Sequence, residues 1–217
     1  MNFNSKILLI EPVTHNVIRL IISKPGNFDF LPGQAVEIEG HPFTMISQPE
    51  DLVLEFIIKT YPPKLFPNHS GLTESFLFKK PGDNLTLSSP FGTINYQGKG
   101  VFIAGGAGIT PFLSIFKMLH KKDDLKDNKL IFSNKTKKDI IMETELRNFF
   151  DESDLSLTLT KEKINGYDFG RINEGKIKKF FNPDMNFYVC GPKQMVADIK
   201  SIIQKLGAKP NSIIFEK

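Results

Sequence analysis

The chain has 217 residues, 40% of them hydrophobic and 24% charged, with a formal charge of +4; it reads as a packed globular protein of one large domain or two small ones. Its single cysteine, Cys190, excludes an intrachain disulfide and a cysteine-ligated iron–sulfur cluster, which takes about four thiolates. No apolar run approaches the roughly 18 residues of a membrane span, no signal-peptide pattern opens the chain, and no basic–aromatic motif for nucleic acid occurs. The expectation is a soluble cytoplasmic protein.

In chain order, residues 1–97 hold short alternating or β-branched runs at 7–11, 17–22, 35–39, 52–59 and 84–87. Pro25-Gly26, Pro32-Gly33, Pro62-Pro63, Pro81-Gly82 and Pro90-Phe91-Gly92 punctuate them. Closely spaced strands with turn signals predict an antiparallel sandwich or barrel. A short helix is predicted after Ser70-Gly71, in LTESFLFKK.

From Gly98 the rhythm changes. Predicted strands at 101–104, 130–132, 155–160 and 187–190 alternate with predicted helices at 111–119, 139–150 and 193–206, the last stopped by Gly207. This βαβ pattern predicts a doubly wound parallel sheet with helices on both faces. The boundary falls near Tyr96 to Lys99. Residues 1–97 carry 7 Lys and Arg against 9 Asp and Glu, a net −2, and residues 98–217 carry 21 against 15, a net +6. The basic second half suits nucleotide phosphates or an acidic protein partner, and equally a solvated Lys-rich surface.

The stretch VFIAGGAGITPF, residues 101–112, runs from a buried strand into almost bare backbone. Ligands of doubly wound sheets lie at the carboxyl ends of the strands. Gly105, Gly106, Ala107 and Gly108 let backbone N–H groups approach a pyrophosphate at a helix N-terminus. Thr110 is the predicted N-cap and Pro111 the first helical residue. The alternative is a tight strand-to-helix turn without a ligand, since the spacing departs from G-x-G-x-x-G.

Read in order, Pro32-Gly33-Gln34, His41-Pro42-Phe43-Thr44, Pro81-Gly82-Asp83, Pro90-Phe91-Gly92, the Gly105–Pro111 turn and Cys190-Gly191-Pro192-Lys193-Gln194-Met195 resemble the ferredoxin–NADP reductase superfamily over nearly the whole chain. The resemblance implies an N-terminal antiparallel β-barrel binding flavin (residues 1–97) and a C-terminal α/β parallel sheet binding a nicotinamide nucleotide (residues 98–217). It implies that Phe43 packs on the flavin and that the Thr44 hydroxyl faces flavin N5. His41 stands where the family carries an Arg; a fixed cationic fork is replaced by a ring largely neutral above pH ~6.5. Flavin phosphates are then expected at the backbone of Gly71, Leu72 and Thr73, with Ile58 and Lys59 alongside, and Glu74 stands where the family has a Ser. Gly105, Gly106, Ala107, Gly108, Thr110 and Pro111 are expected at the diphosphate of the nucleotide. Cys190, Gly191, Pro192 and Met195 are expected beside the nicotinamide. Thr44 and Cys190 are thus the catalytic candidates, and Phe215 is the aromatic available to cover part of the flavin.

The stretch Ser133 to Ile141 resembles NADH-dependent cytochrome reductases, and Asp139 leans towards a free ribose hydroxyl and NADH. Lys135, Lys137 and Lys138 pull towards NADPH. The implied cofactors are FAD, less so FMN, with NADH or NADPH as co-substrate. The implied activity is a flavin-dependent NAD(P)H reductase passing electrons to a separate acceptor such as ferredoxin, flavodoxin or a haem protein. A flavin-less nucleotide sensor and a reductase of diffusible flavin are the alternatives. No Ser-His-Asp set, paired carboxylates or His-x-x-x-His metal spacing competes.

Overall fold

The structure is a computed structural model and describes residues 2–61, 71–92 and 94–215. Of the predicted features, Pro62-Pro63 and Ser70 lie outside the described residues. The first six strands are β1 (Asn2–Thr14), β2 (Val17–Ser23), β3 (Ala35–Ile38), β4 (His41–Thr44), β5 (Val53–Lys59) and β6 (Asn84–Ser88), with helix α1 (Leu72–Ser75) before β6. They form one antiparallel sheet in the order β4-β3-β6-β1-β2-β5. A bridge between Met45 and Phe56 links its two edges, which curls the sheet into a barrel. Ile7, Leu20, Ile22, Val36, Leu54, Phe56, Ile58, Phe76 and Leu87 fill the interior. β1 extends well beyond the predicted 7–11 because its start pairs with β6 and its end with β2, with register shifts at Ile7/Leu9 and Pro12/Thr14. Pro12 is tolerated at such a bulge because it has no N–H to give.

The second sheet is parallel. Its strands are β7 (Gly100–Gly105), β8 (Lys129–Asn134), β9 (Leu155–Leu159), β10 (Asp168–Phe169), β11 (Asn186–Cys190) and β12 (Ile213–Phe215), in the order β10-β9-β8-β7-β11-β12. Helices α2 (Thr110–Lys121), α3 (Glu143–Phe149), α4 (Glu174–Lys178) and α5 (Lys193–Lys205) connect them. The order reverses at β7, which makes the carboxyl ends of β7 and its neighbours the natural place for a ligand.

The apparent polar face of β9 is buried: Ser156 and Thr158 are 7% and 0% exposed. An interior strand has both faces covered, and the two hydroxyls are satisfied by donating to Asp168 Oδ2 at 2.7 Å and Gly170 O at 2.9 Å. The helix predicted over 139–150 is shorter. Thr136 and Asp139 close a capping box around a single 3₁₀ turn, Met142 adopts φ 53°, and α3 starts only at Glu143.

β5 is buried on both faces. Leu54, Phe56 and Ile58 point into the barrel, while Ile57 joins Val17, Ile46 and Ile94 in the cluster built on Phe112, Ile115 and Phe116 of α2. The first half is therefore packed directly on α2. Glu55 accepts from Arg19 at 2.6 Å and Lys117 at 3.1 Å, and Ser114 of α2 accepts from Gly33 N at 2.7 Å.

Candidate functional site

At the carboxyl edge of the parallel sheet lies a cleft of about 660 Å³, walled by both halves of the chain. β7 ends in Gly105, residues Gly106–Ile109 form a 3₁₀ turn, and α2 continues from it without a break. The predicted N-cap is displaced as a result. Ile109 takes that position, Thr110 has helical angles, and its hydroxyl donates back to Ala107 O at 3.0 Å. Because the glycine turn is itself coiled, the helical run starts at Gly106, four residues before the predicted N-cap. Pro111 occupies the first turn as expected but is buried under the helix, outside the cleft lining.

The bare backbone of this turn has two distinct causes. A Cβ on Gly108 would lie 2.5 Å from Cys190 O, and one on Gly105 would lie 2.6 Å from Met195 Sδ. Gly108 thus lets the turn pass against the end of β11, and Gly105 admits the Met195 side chain at the start of α5. Gly106 differs: its φ is +55° and a Cβ there would meet nothing within 4 Å. Gly106 is thus the position of the turn that combines a left-handed backbone with open space towards the cleft.

The cleft brings together Lys59, Gly105, Gly106, Ala107, Gly108, Thr110, Asp139, Cys190, Gly191, Pro192 and Met195 from the predicted set. Cys190 is buried in the wall. Lys59 lines the cleft from the end of β5, and its ammonium is pushed below the usual lysine range by burial and by neighbouring Lys135, against the pull of Asp139. Asp139 is fixed on one side by the capping box, accepting at Oδ2 from Thr136 N at 2.9 Å and Thr136 Oγ1 at 2.6 Å, while Oδ1 lies 3.7 Å from His15 Nε2. Of the three nearby lysines, Lys135 lines the cleft; Lys137 lies over the Tyr167 ring at 5.6 Å.

His41, Pro42, Phe43 and Thr44 form β4 and are not among the residues lining this cleft, the first two exposed and the last two half-buried. The Phe43 ring meets Phe76 edge-on at 5.9 Å, which ties β4 to the helix that Gly71 begins and Leu72 and Thr73 continue. His41 Nδ1 lies 3.2 Å from Glu39 O. Ile58 is a barrel-core residue, 1% exposed. Phe215 pairs with Val189 at the sheet edge and carries Lys200 Nζ 4.8 Å from its ring, so the structure does not bring it to the cleft.

Several lining residues escape sequence reasoning. Asn16 arrives from the β1–β2 turn, Val17 from the start of β2, and Tyr61 from just beyond β5. Arg171 and Ile172 follow β10, a two-residue strand with no readable period. Asn134, which ends β8, is 5% exposed and its Nδ2 and Oδ1 have no hydrogen-bond partner among the described residues. A polar residue at the carboxyl end of a buried parallel strand was the available signal. The cleft can therefore offer cations at Lys59, Lys135 and Arg171 and carboxylates at Asp139 and Asp198. Among the described residues, no group of three His, Cys, Asp or Glu is arranged to hold a metal. Nor is any described helix long and apolar enough to cross a membrane.

Residues 102–201 match the oxidoreductase NAD-binding domain family. The chain is 28% identical over 193 residues to a component of the Na(+)-translocating NADH-quinone reductase of Neisseria meningitidis, covering 80% of this chain and 48% of that protein. It is 30% identical over 203 residues to NADH-cytochrome b5 reductase 1 of Coccidioides immitis, covering 85% of this chain and 63% of that one. The chain thus spans about half the length of the first of these curated relatives. In fold it is similar to a ferredoxin NADP+ reductase from Neisseria gonorrhoeae solved with FAD and NADP, with a TM-score of 0.84 at 19% identity, over 99% of this chain and 97% of that one. The parallel sheet, which matches the NAD-binding family over residues 102–201, is thus joined to an antiparallel barrel in the two-sheet fold of that reductase.

Proposed function

We propose that this chain is a flavin-dependent NAD(P)H oxidoreductase, in which residues 98–217 take the nicotinamide nucleotide and residues 1–97 hold FAD. The observation that carries this reading is the shared cleft, where the Gly105–Gly108 and Cys190–Pro192 turns face Lys59, Tyr61 and Val17 of the barrel half. The residues present fit a nucleotide. Open backbone at Gly106 and the cations Lys59, Lys135 and Arg171 suit phosphates, and Asp139 supports NADH over NADPH.

For the flavin, the half-buried Phe43 offers ring surface and Thr44 a hydroxyl on β4, and Gly71–Thr73 offer a helix start beside them. When bound, the two cofactors supply hydride transfer from nicotinamide C4 to flavin N5. This chain's residues supply position. Cys190, small and buried in the wall, leaves room for a ring to approach, Met195 backs the turn, and Thr44 presents a hydroxyl donor. Such alignment at about 3–3.5 Å is what the protein contributes to rate. Electrons then pass to a separate acceptor, of the ferredoxin, flavodoxin or haem-protein class, with an acidic carrier favoured by the +6 second half.

A second reading, a nucleotide sensor without flavin, draws on His41, which is exposed and turned to Glu39 O where the family has an Arg. The test is the visible spectrum of the purified protein, followed by anaerobic addition of NADH and NADPH separately. A flavin spectrum bleached by NADH at lower concentration than NADPH is expected. A protein that stays colourless after incubation with FAD and FMN overturns the reductase reading, and retained NADH binding in that protein establishes the sensor.

A further inference from the structure

Lys176 on α4 is 8% exposed, yet it is charged and lies outside the cleft lining. Its ammonium donates to Phe169 O at 2.9 Å, to Gly170 O at 3.0 Å and to the Thr158 hydroxyl, which itself donates to Gly170 O at 2.9 Å. All three N–H donors of a buried ammonium are thereby used. Two of them go to the consecutive carbonyls immediately before Arg171 and Ile172, which line the cleft. Gly170 has φ +90°, and its N–H donates to Leu159 O at 2.8 Å. The chain therefore leaves β10 in a fixed direction at this residue.

A buried lysine is costly unless paired, and burial holds this ammonium below the usual lysine range. A methionine or leucine would fill the same space without that cost. What the charge adds is the orientation of two peptide groups on a strand of only two residues, Asp168–Phe169, too short to fix itself.

We propose that Lys176 is a positioning residue for nucleotide binding, holding the 169–172 segment so that Arg171 and Ile172 face the cleft. This rests on the nucleotide reading above. The test is titration calorimetry of the full chain with ADP-ribose, for wild type, Lys176→Met, Thr158→Val and Arg171→Ala, with thermal unfolding of each. Lys176→Met is expected to weaken ADP-ribose about tenfold, the loss that follows from removing a charged hydrogen bond. Thr158→Val, the milder change, is expected to weaken it by a smaller factor in a stably folded protein. In the Arg171→Ala background, Lys176→Met is expected to add less than twofold, a non-additivity that general destabilisation does not produce. The KM for NADH should rise with kcat held within about twofold.

Wild-type ADP-ribose affinity in folded Lys176→Met overturns the role of Lys176 alone; should that variant not fold, wild-type affinity in Thr158→Val does so. Full additivity with Arg171→Ala does the same. A wild-type chain that binds neither ADP-ribose nor NADH overturns the nucleotide reading itself.

Discussion

Tyr188 illustrates how one hydroxyl can bind a boundary between strands. Its ring stacks on Phe102 with centroids 4.3 Å apart, its O–H donates to Gly98 O at 2.8 Å, and the oxygen accepts from Gln97 N at 2.8 Å. Burial pushes the phenol up from 10.0 to about 12. A group whose pKa is raised by folding contributes stability that is complete below its unfolded value and is lost as the pH rises through the folded one. The chain is therefore expected to lose stability between pH 10 and about 12. Tyr188→Phe should lose less over that interval, while costing about 1–3 kcal/mol at pH 8 because Gln97 N and Gly98 O are left unpaired. Urea unfolding of both proteins at pH 8 and pH 11 measures this; equal pH dependence in the two would disprove it.

At the scale of elements, the strand-to-helix turn shows what a sequence can and cannot disclose. The turn itself was legible, because three glycines between a buried strand and Thr-Pro have few other uses, and so were the long periodic elements β2, β5, α2 and α5. β10, β12 and α4 were not, since two, three and five residues carry no period. The helix expected over 139–150 was misplaced because a capping box and a left-handed Met142 override its apolar spacing. Within the turn, sequence could not separate packing from access. The atoms that Gly105 and Gly108 make room for, the Met195 side chain in α5 and the Cys190 backbone in β11, lie more than 80 residues away. Stability should separate them. Gly108→Ala drives a Cβ into the backbone at Cys190 and is expected to cost the most, above about 3 kcal/mol. Gly105→Ala meets the flexible end of Met195 and should cost less. Gly106→Ala has free space but a left-handed backbone, a strain of about 1–2 kcal/mol, and is expected to change NADH affinity most for its effect on stability. Chemical denaturation of the three variants gives the order, and Gly106→Ala being the most destabilised would refute the division.

For the whole molecule, the question is how the two sheets act as one body around a cleft that needs walls from both. No residue near the cleft discloses this in sequence, because the answer lies on the outer face of β5. There Ile57 enters the core of the second half and Glu55, 9% exposed, sits between Arg19 of β2 and Lys117 of α2. The carboxylate is bound at 2.6 Å by a barrel strand and at 3.1 Å by the helix that leads away from the glycine turn. With hydrophobic residues of both halves in one cluster, unfolding one half exposes apolar surface of the other, which favours a single cooperative transition. Glu55→Gln keeps the shape but leaves two cations without their shared anion, and is expected to lower stability by about 1–3 kcal/mol. Urea transitions followed by far-ultraviolet circular dichroism and by tyrosine fluorescence should coincide in wild type. In Glu55→Gln both midpoints should fall. Separate transitions in the wild-type chain, together with an unchanged midpoint in the variant, would mean that α2 does not couple the halves and that the cleft is free to open between them.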